Sequence, residues 1–387
     1  MIETEIFRLA DVGLKMTDKN METKSFSHQF YRTTLEAWDA MYQAVLGAKK
    51  SIYWEIYIFL DDQAGARFVD ALCNKAQAGV EVKIVVDAIG SWGLSRAAAK
   101  RLAEAGAEVR WYNRLHPELA VGKWWRRLWR RNHRKLLIVD EEIAFVGGVN
   151  VESKAVEWDD LFLKLTGTLV QPLLKSFAKS YIASGGSRKK IRHLRHPELY
   201  RGLEAWQERL KYVIHSPGKR QSSVRQLYHQ SLLAAKESVN VLTPYFIPDK
   251  TFLKFVSQAR RRGVKVNVFL PLRADHWFMG LIARAYYGLA HRSGVNLYFL
   301  NKMNHGKAIT VDRQAGFVGS SNVTPRSWFL NEESGVYFDD QTMVDDLNAI
   351  FEDLKKDAAP LDFEHWTKRG WASRFKEWWA RRIERYV

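Results

Sequence analysis

His133-x-Lys135-x4-Asp140, followed by Gly147-Gly148-x-Asn150, is written again 172 positions later as His305-x-Lys307-x4-Asp312, followed by Gly319-Ser320-x-Asn322. Every spacing from His to Asn agrees between the two copies. A single His-x-Lys-x4-Asp arises by chance in roughly one chain of this length in a few tens. Two copies with matching glycine and asparagine downstream do not. Each copy reads as strand, tight turn, strand: 136–139 with 143–146, and 308–311 with 316–318. Side chains two apart on a strand share a face, so His133 and Lys135 point together, as do His305 and Lys307. The chain thus presents an imidazole beside a phosphate-binding cation, twice.

The repetition extends outward from the motif. Residues 49–59 answer 236–246, each a β-branched and aromatic run after an amphipathic helical stretch. Likewise 79–86 answers 263–270 and 106–112 answers 294–299. Each of these opens on a glycine where a helix ends and a strand begins. Such alternation predicts an α/β fold. The expected divisions are an N-terminal extension 1–30, a first repeat 31–182, a basic linker 183–202, a second repeat 203–356, and a Trp/Arg-rich amphipathic tail 357–387. The linker contains Gly185-Gly186-Ser187-Arg188-Lys189-Lys190, a flexible composition.

Composition narrows the class of partner. The 387 residues include 60 Lys plus Arg against 43 Asp plus Glu, a formal charge of +17, which favours a polyanion: nucleic acid or an anionic membrane. Fifteen Trp tilt this towards a headgroup interface, although aromatics also stack on bases. Nearly half the residues are apolar, so the chain folds and is not disordered. Cys73 is the only cysteine, which rules out an intrachain disulfide and reads as a small core residue. No apolar run reaches the ~18 residues of a membrane span, and the first residues are unlike a signal peptide. Membrane attachment is expected to be peripheral.

The duplicated His-Lys-Asp phrase resembles the signature of the phospholipase D superfamily. Within it the chain looks like a bacterial cardiolipin synthase of the short form that lacks N-terminal transmembrane helices. The resemblance runs from about Tyr31 to Leu354 and includes Glu55-Ile56-Tyr57-Ile58-Phe59, Asp87-Ala88-Ile89-Gly90-Ser91 and Gly319-Ser320-Ser321-Asn322-x-x-Pro325-Arg326-Ser327. One departure is Gly306, where alanine is commoner; the position is expected to be silent. The resemblance implies two phospholipase D-like repeats, each a mixed β-sheet flanked by helices, packed as a pseudo-twofold pair with one active site at their interface. It implies no metal and no cofactor. The location implied is the cytoplasmic side of the bacterial inner membrane.

The chemistry agrees with the motif. A phosphodiester resists attack, so a site needs a nucleophile, an acid for the leaving group and cations at the phosphoryl oxygens. Two histidines can share the first two tasks when held in opposite protonation states. Lys135 and Lys307 would grip the phosphate, with Asn150 and Asn322 donating further hydrogen bonds. Each His needs an acceptor on its other ring nitrogen. Asp160 and Glu333 stand at nearly equal offsets after the motifs, and the resemblance implies a crossed pairing, Glu333 on His133 and Asp160 on His305. Asp159 and Glu332 are the neighbouring choices. Asp140 and Asp312 belong to the catalytic phrase but sit where the strand enters its turn, and read as structural. The resemblance makes His133 the nucleophile; sequence symmetry alone allows His305.

Two aromatic-basic stretches are candidate membrane contacts: Trp124, Trp125 and Trp129 before the first motif, and Trp371, Trp378 and Trp379 in the tail. The tail spacing of Trp371, Phe375, Trp378, Trp379, Ile383 and Tyr386 is one helix stripe. Docking of these aromatics into the protein body is the alternative in both places. For Trp277-Phe278-Met279, core packing is the simpler account and acyl-chain contact the other. His193, His196 and His215 show no metal-ligand spacing.

The expected activity is phosphatidyl transfer between two phosphatidylglycerol molecules, giving cardiolipin and glycerol on an anionic phospholipid membrane. Rivals are hydrolysis of phospholipid by the same intermediate, a nuclease of the same superfamily, and a non-catalytic lipid-binding scaffold. Trp beside Arg argues against nucleic acid as the partner, and two complete motifs argue against a scaffold.

Overall fold

The computed structural model describes residues 26–114, 129–195, 209–217 and 222–383. Its first sheet comprises β1 (His28–Thr33), β2 (Ser51–Ile56), β3 (Glu81–Asp87), β4 (Glu108–Tyr112), β5 (Leu136–Val139), β6 (Ile143–Gly147) and β7 (Asp159–Thr166), in the order β1-β7-β6-β5-β2-β3-β4. Strands β2, β3 and β4 run parallel, because the helices Ala66–Gln77 and Arg96–Glu104 supply the crossovers that parallel pairing needs. The remaining pairs are antiparallel. All six residues of β2 are buried, as its unbroken run of large side chains requires of a strand covered on both faces.

The second sheet repeats this plan with β8 (Leu210–His215), β9 (Ser238–Leu242), β10 (Lys265–Pro271), β11 (Val295–Leu300), β12 (Ala308–Val311), β13 (Ala315–Gly319) and β14 (Glu333–Phe338). Its order, β15-β11-β10-β9-β12-β13-β14-β8, matches the first strand for strand, with β15 (Ala358–Pro360) added antiparallel to β11. The tail therefore begins as a strand of the second sheet, a join that its Ala-Ala-Pro sequence does not announce. The helix Trp371–Ile383 then lies against the helix Trp277–Ser293.

One hydrophobic cluster joins the two sheets. It draws Leu136, Ile138, Val146 and Leu163 from the first sheet and Phe177 from the helix Gln171–Ala183. Leu242, Ala308, Val318 and Val336 come from the second sheet, with Val344 and Leu347 from the helix Gln341–Asp357. Two further clusters lie mainly within the first and second halves respectively. The buried free thiol of Cys73 belongs to the first of these.

Both motif turns take a left-handed backbone, with φ of 53° and 63° at Asp140 and Glu141 and 51° and 56° at Asp312 and Arg313. Asp140 accepts hydrogen bonds from the backbone N–H groups of Lys49 (2.9 Å), Lys50 (2.6 Å) and Ser51 (2.9 Å). Asp312 does the same for Lys236, Glu237 and Ser238 at 2.7–2.8 Å. Each aspartate thus pins the loop entering the central strand β2 or β9. These N–H groups hold the Asp140 carboxyl below its usual range against the opposing effect of burial.

Candidate active site

The two motifs meet because short bridges cross from one half to the other. Asn132 pairs with Glu332 and Asp159 with Asn304. His133 N–H donates to the Glu332 carbonyl at 2.9 Å, and His305 N–H to the Asp159 carbonyl at 2.7 Å. The chain just before each histidine is therefore clamped to the opposite repeat. Strand alternation then decides which acid faces in. Glu333 reaches His133, while Glu332 turns to Arg134 (2.6 Å) and the Tyr112 hydroxyl (3.2 Å). Asp160 reaches His305, while Asp159 pairs with Lys302.

His133 Nδ1 donates to the Glu333 carboxylate at 3.0 Å and His305 Nδ1 donates to Asp160 Oδ2 at 3.0 Å. An ionised carboxylate only accepts, so the contact places the ring proton on Nδ1 and leaves Nε2 for chemistry, at His305 with the low-lying Asp160 and at His133 once Glu333 has lost its proton. The two histidine residues retain 8% and 6% exposure, and His133 lies within electrostatic range of both Lys307 and His305. Lys135 Nζ donates to the His133 carbonyl at 2.8 Å, and Lys307 Nζ donates to that of His305. Both ammonium groups are buried. Burial draws Lys307 down to about 8; burial and the charge on Lys307 push Lys135 well below its ordinary value.

The two histidine–carboxylate pairs differ in charge. Burial pushes Glu333 up to about 7, against the opposing pull of Lys135. Burial acts on Asp160 as well, but His305, Lys307 and its own bond from Leu161 N–H outweigh it and hold Asp160 low. His133 is depressed well below its ordinary value by burial and by Lys135 and Lys307. His305 is also lowered by burial and Lys307, with Asp160 working against them. The halves are alike in backbone and unlike in proton affinity.

A small sequence difference fits the unequal acids. Beside Glu333 stands Ser320, whose hydroxyl donates to the carboxylate. The matching position beside the shorter aspartate is Gly148, where a Cβ would stand 2.1 Å from Asp160 Oδ1 and 2.9 Å from the His305 carbonyl. Gly306 is not silent: a Cβ there would come within 2.8 Å of Leu242 and 3.0 Å of Leu161, so packing explains its departure from alanine.

Asn150 and Asn322 are both buried; Asn150 Oδ1 accepts from Ile58 N–H at 3.4 Å, which leaves its amide nitrogen to donate. Asp140 and Asp312 are not at this centre. They lie at the far ends of β5 and β12, about 15 Å along the strand from the lysines by the rise of an extended chain, and act as turn anchors. Trp129 lies with its ring 5.8 Å from Arg326, whose charge bears on His133. Trp124 and Trp125 fall outside the described residues. In the tail Trp371, Trp378 and Trp379 are exposed, and the helix docks by its other face through Ala380 and Glu377. Glu377 pairs with Arg369 at 2.7 Å and Arg284 at 3.6 Å.

Several neighbours escaped sequence reasoning. Tyr57 packs edge-on to His133 at 4.9 Å and lies 5.0 Å from Lys135 Nζ; Trp158 packs on His305 at 5.7 Å. Arg134, the unspecified middle residue of the first motif, is buried and reaches Ser180, the His215 carbonyl and Glu332. Asp87 and Glu55 buttress the same segment by accepting from Asn132 N–H and its side-chain amide, each at 2.8 Å. These two acids belong to stretches already noted for their resemblance; the signal was present, its task was not. Among the described residues no three His, Cys, Asp or Glu side chains gather as a metal-ligand set.

The family model described as "Cardiolipin synthase, PLD-like domain" matches residues 41–180 and 228–355, one span in each repeat. The probable cardiolipin synthase YwiE of Bacillus subtilis is 28% identical over 97% of this chain and 75% of its own length. The minor cardiolipin synthase ClsB of the same organism is 27% identical over 90% of this chain and 86% of its own. Among solved structures, a phosphatidylserine synthase of Haemophilus influenzae superposes with a TM-score of 0.69 at 14% identity, covering 93% of both chains, and so shares the fold. With both matched spans carrying a complete motif and the two motifs converging, the chain belongs to the cardiolipin synthase family of phospholipase D-like proteins.

Proposed function

We propose that the protein is a cardiolipin synthase that transfers a phosphatidyl group from one phosphatidylglycerol to another through a phosphatidyl-histidine intermediate. The observation carrying this is the crossed, electrically unequal pair of histidines. A low-lying Asp160 is ionised at neutral pH and supports an imidazolium at His305; Glu333, near 7, supports one at His133 less well. His133 is accordingly the neutral base and His305 the proton donor.

His133 Nε2 attacks phosphorus and the bond to the glycerol oxygen breaks, His305 giving its proton to that oxygen. His305, now neutral, removes the proton from a headgroup hydroxyl of a second phosphatidylglycerol. That oxygen attacks phosphorus, the phosphorus–nitrogen bond breaks, and cardiolipin leaves. Lys135 and Lys307 hold the non-bridging oxygens, and an anionic phosphodiester between them favours their charged forms. Asn150 and Asn322 donate to the same group.

Among the described residues no helix is long and apolar enough to cross a membrane. We place the protein peripherally on the cytoplasmic face of the bacterial inner membrane, held by Trp371, Trp378 and Trp379 with the basic residues around them. The test is incubation of purified protein with phosphatidylglycerol liposomes and resolution of all products. Cardiolipin and glycerol in equal amounts support transfer; phosphatidic acid alone refutes it in favour of hydrolysis. His133→Ala and His305→Ala should each abolish turnover, and a covalent lipid adduct should accumulate only where His133 is retained. Substantial activity in His133→Ala would overturn its assignment.

A further inference from the structure

Beside the catalytic centre the second repeat carries a groove that the reaction above does not use. The helix Trp371–Ile383 lies across the helix Trp277–Ser293 with a gap between them of about 800 Å³, a volume typical of ligand pockets. Leu272, Trp277, Leu281, Phe375 and Trp379 line it, and several are exposed in full view of solvent, Trp277 at 76%. A second chamber of about 300 Å³ adjoins it, sharing Leu272, Ala274, Gly280 and Arg284 and extending to Tyr287, Phe299 and Trp366. The small side chains at 274 and 280 keep the walls thin.

The lining carries positive charge as well. Arg273 and Lys376 border the larger chamber and join no ion pair among the described residues, whereas Arg284 is committed to Glu377. Directly after Ala274 comes Asp275, whose carboxylate accepts from the Tyr245 hydroxyl, lies 3.8 Å from Lys154 and acts on His305. The groove thus opens next to the wall of the reacting site.

We infer that this groove is a binding site for one anionic diacyl phospholipid, an acyl tail in each chamber and the headgroup phosphate on Arg273 and Lys376. Two adjoining chambers, the larger lined mostly by apolar side chains and the smaller mixing Tyr287, Phe299 and Trp366 with Asn301, Asp362 and His365, beside cations that join no ion pair among the described residues, complement a molecule with two tails on one phosphate; a flat docking face requires neither the chambers nor a fixed number of lipids. The inference deepens the lipid-directed function proposed above and rests on it.

The test uses phosphatidylglycerol bearing a photoactivatable diazirine in one acyl chain, the full chain carrying His133→Ala to prevent turnover, and peptide mapping by mass spectrometry. Labelling is expected on peptides spanning 277–284 and 375–379, displaced by unlabelled phosphatidylglycerol and not by inorganic phosphate. Gly280→Leu fills the shared wall, and a Cβ there meets only Ala274 at 3.4 Å outside its own helix; it should cut this labelling about tenfold. Arg273→Glu with Lys376→Glu, both at exposed positions, should cut it at least as far by replacing attraction for the headgroup phosphate with repulsion, and decides the matter should Gly280→Leu fail to fold. Label scattered over the surface, or undiminished in the charge-reversed chain, overturns the groove. Cardiolipin formation by the unmodified chain without groove labelling removes the groove alone. Groove labelling in a chain that makes no cardiolipin removes the proposed reaction and keeps the site.

Discussion

Replacing the two acids that orient the histidines should have unequal effects. Asp160→Asn removes an ionised acceptor, and His305 loses its support as an acid; kcat should fall by roughly 10²–10⁴ at every pH. Glu333→Gln replaces a group that is itself largely protonated below about 7. Its cost should be modest at pH 6 and should grow as pH rises through 7, where the native carboxylate ionises and the amide cannot. Steady-state kcat across that range checks both. Lys307 sets the other limb. Its charge is present below about 8 and lost above it, so kcat/KM should fall about tenfold per pH unit beyond that point. In kcat the same limb should move to higher pH, because a bound phosphodiester raises the lysine's proton affinity. A kcat/KM profile flat to pH 10 would remove Lys307 from the charge balance.

At the level of strands and turns, the motif aspartates and the motif glycines have separate tasks. Asp140→Ala leaves three N–H groups at the entrance to β2 without their acceptor and should cost about 1–3 kcal/mol, read by urea denaturation, with kcat per folded molecule retained. Gly148→Ala should lower activity, since its methyl would occupy the place of the Asp160 carboxylate. The strand-turn-strand form of each motif was legible because hydrophobic runs and polar turns are local. The partners of Arg134 were not, since the middle residue of the phrase looks unconstrained until the opposite repeat is laid against it. Strand β15 and the crowding at Gly306 were hidden for the same reason: both arise from neighbours distant in sequence. On β9, β10 and β11 the side chains of Asn240, Asn267 and Asn296 hand hydrogen bonds along one row, ending at Thr310 on β12. No single strand's sequence reveals that row.

Across the whole molecule, Arg134 ties the repeats together from within. Arg134→Ala would strand buried Glu55 and the half-buried Glu332, and should destabilise by about 3–5 kcal/mol. The tail should matter to location more than to folding: removing 366–387 should abolish sedimentation with anionic liposomes while the duplicated core still melts cooperatively. Unchanged sedimentation would discount the tail as an anchor. Pattern pairing of the two halves foretold two like sheets, and the resemblance implied how they meet; the tail's stripe marked a helix and left open whether its aromatics dock or stay exposed, and the Glu377 and Ala380 seam that holds it was not legible. The interlocking of Glu333 with His133 and of Asp160 with His305 also fixes how many phosphorus atoms one polypeptide can hold in covalent linkage. Duplication here produced a single workplace with two hands. Radiolabelled donor that stays covalently attached after denaturation should plateau at one equivalent per chain, however high the lipid concentration.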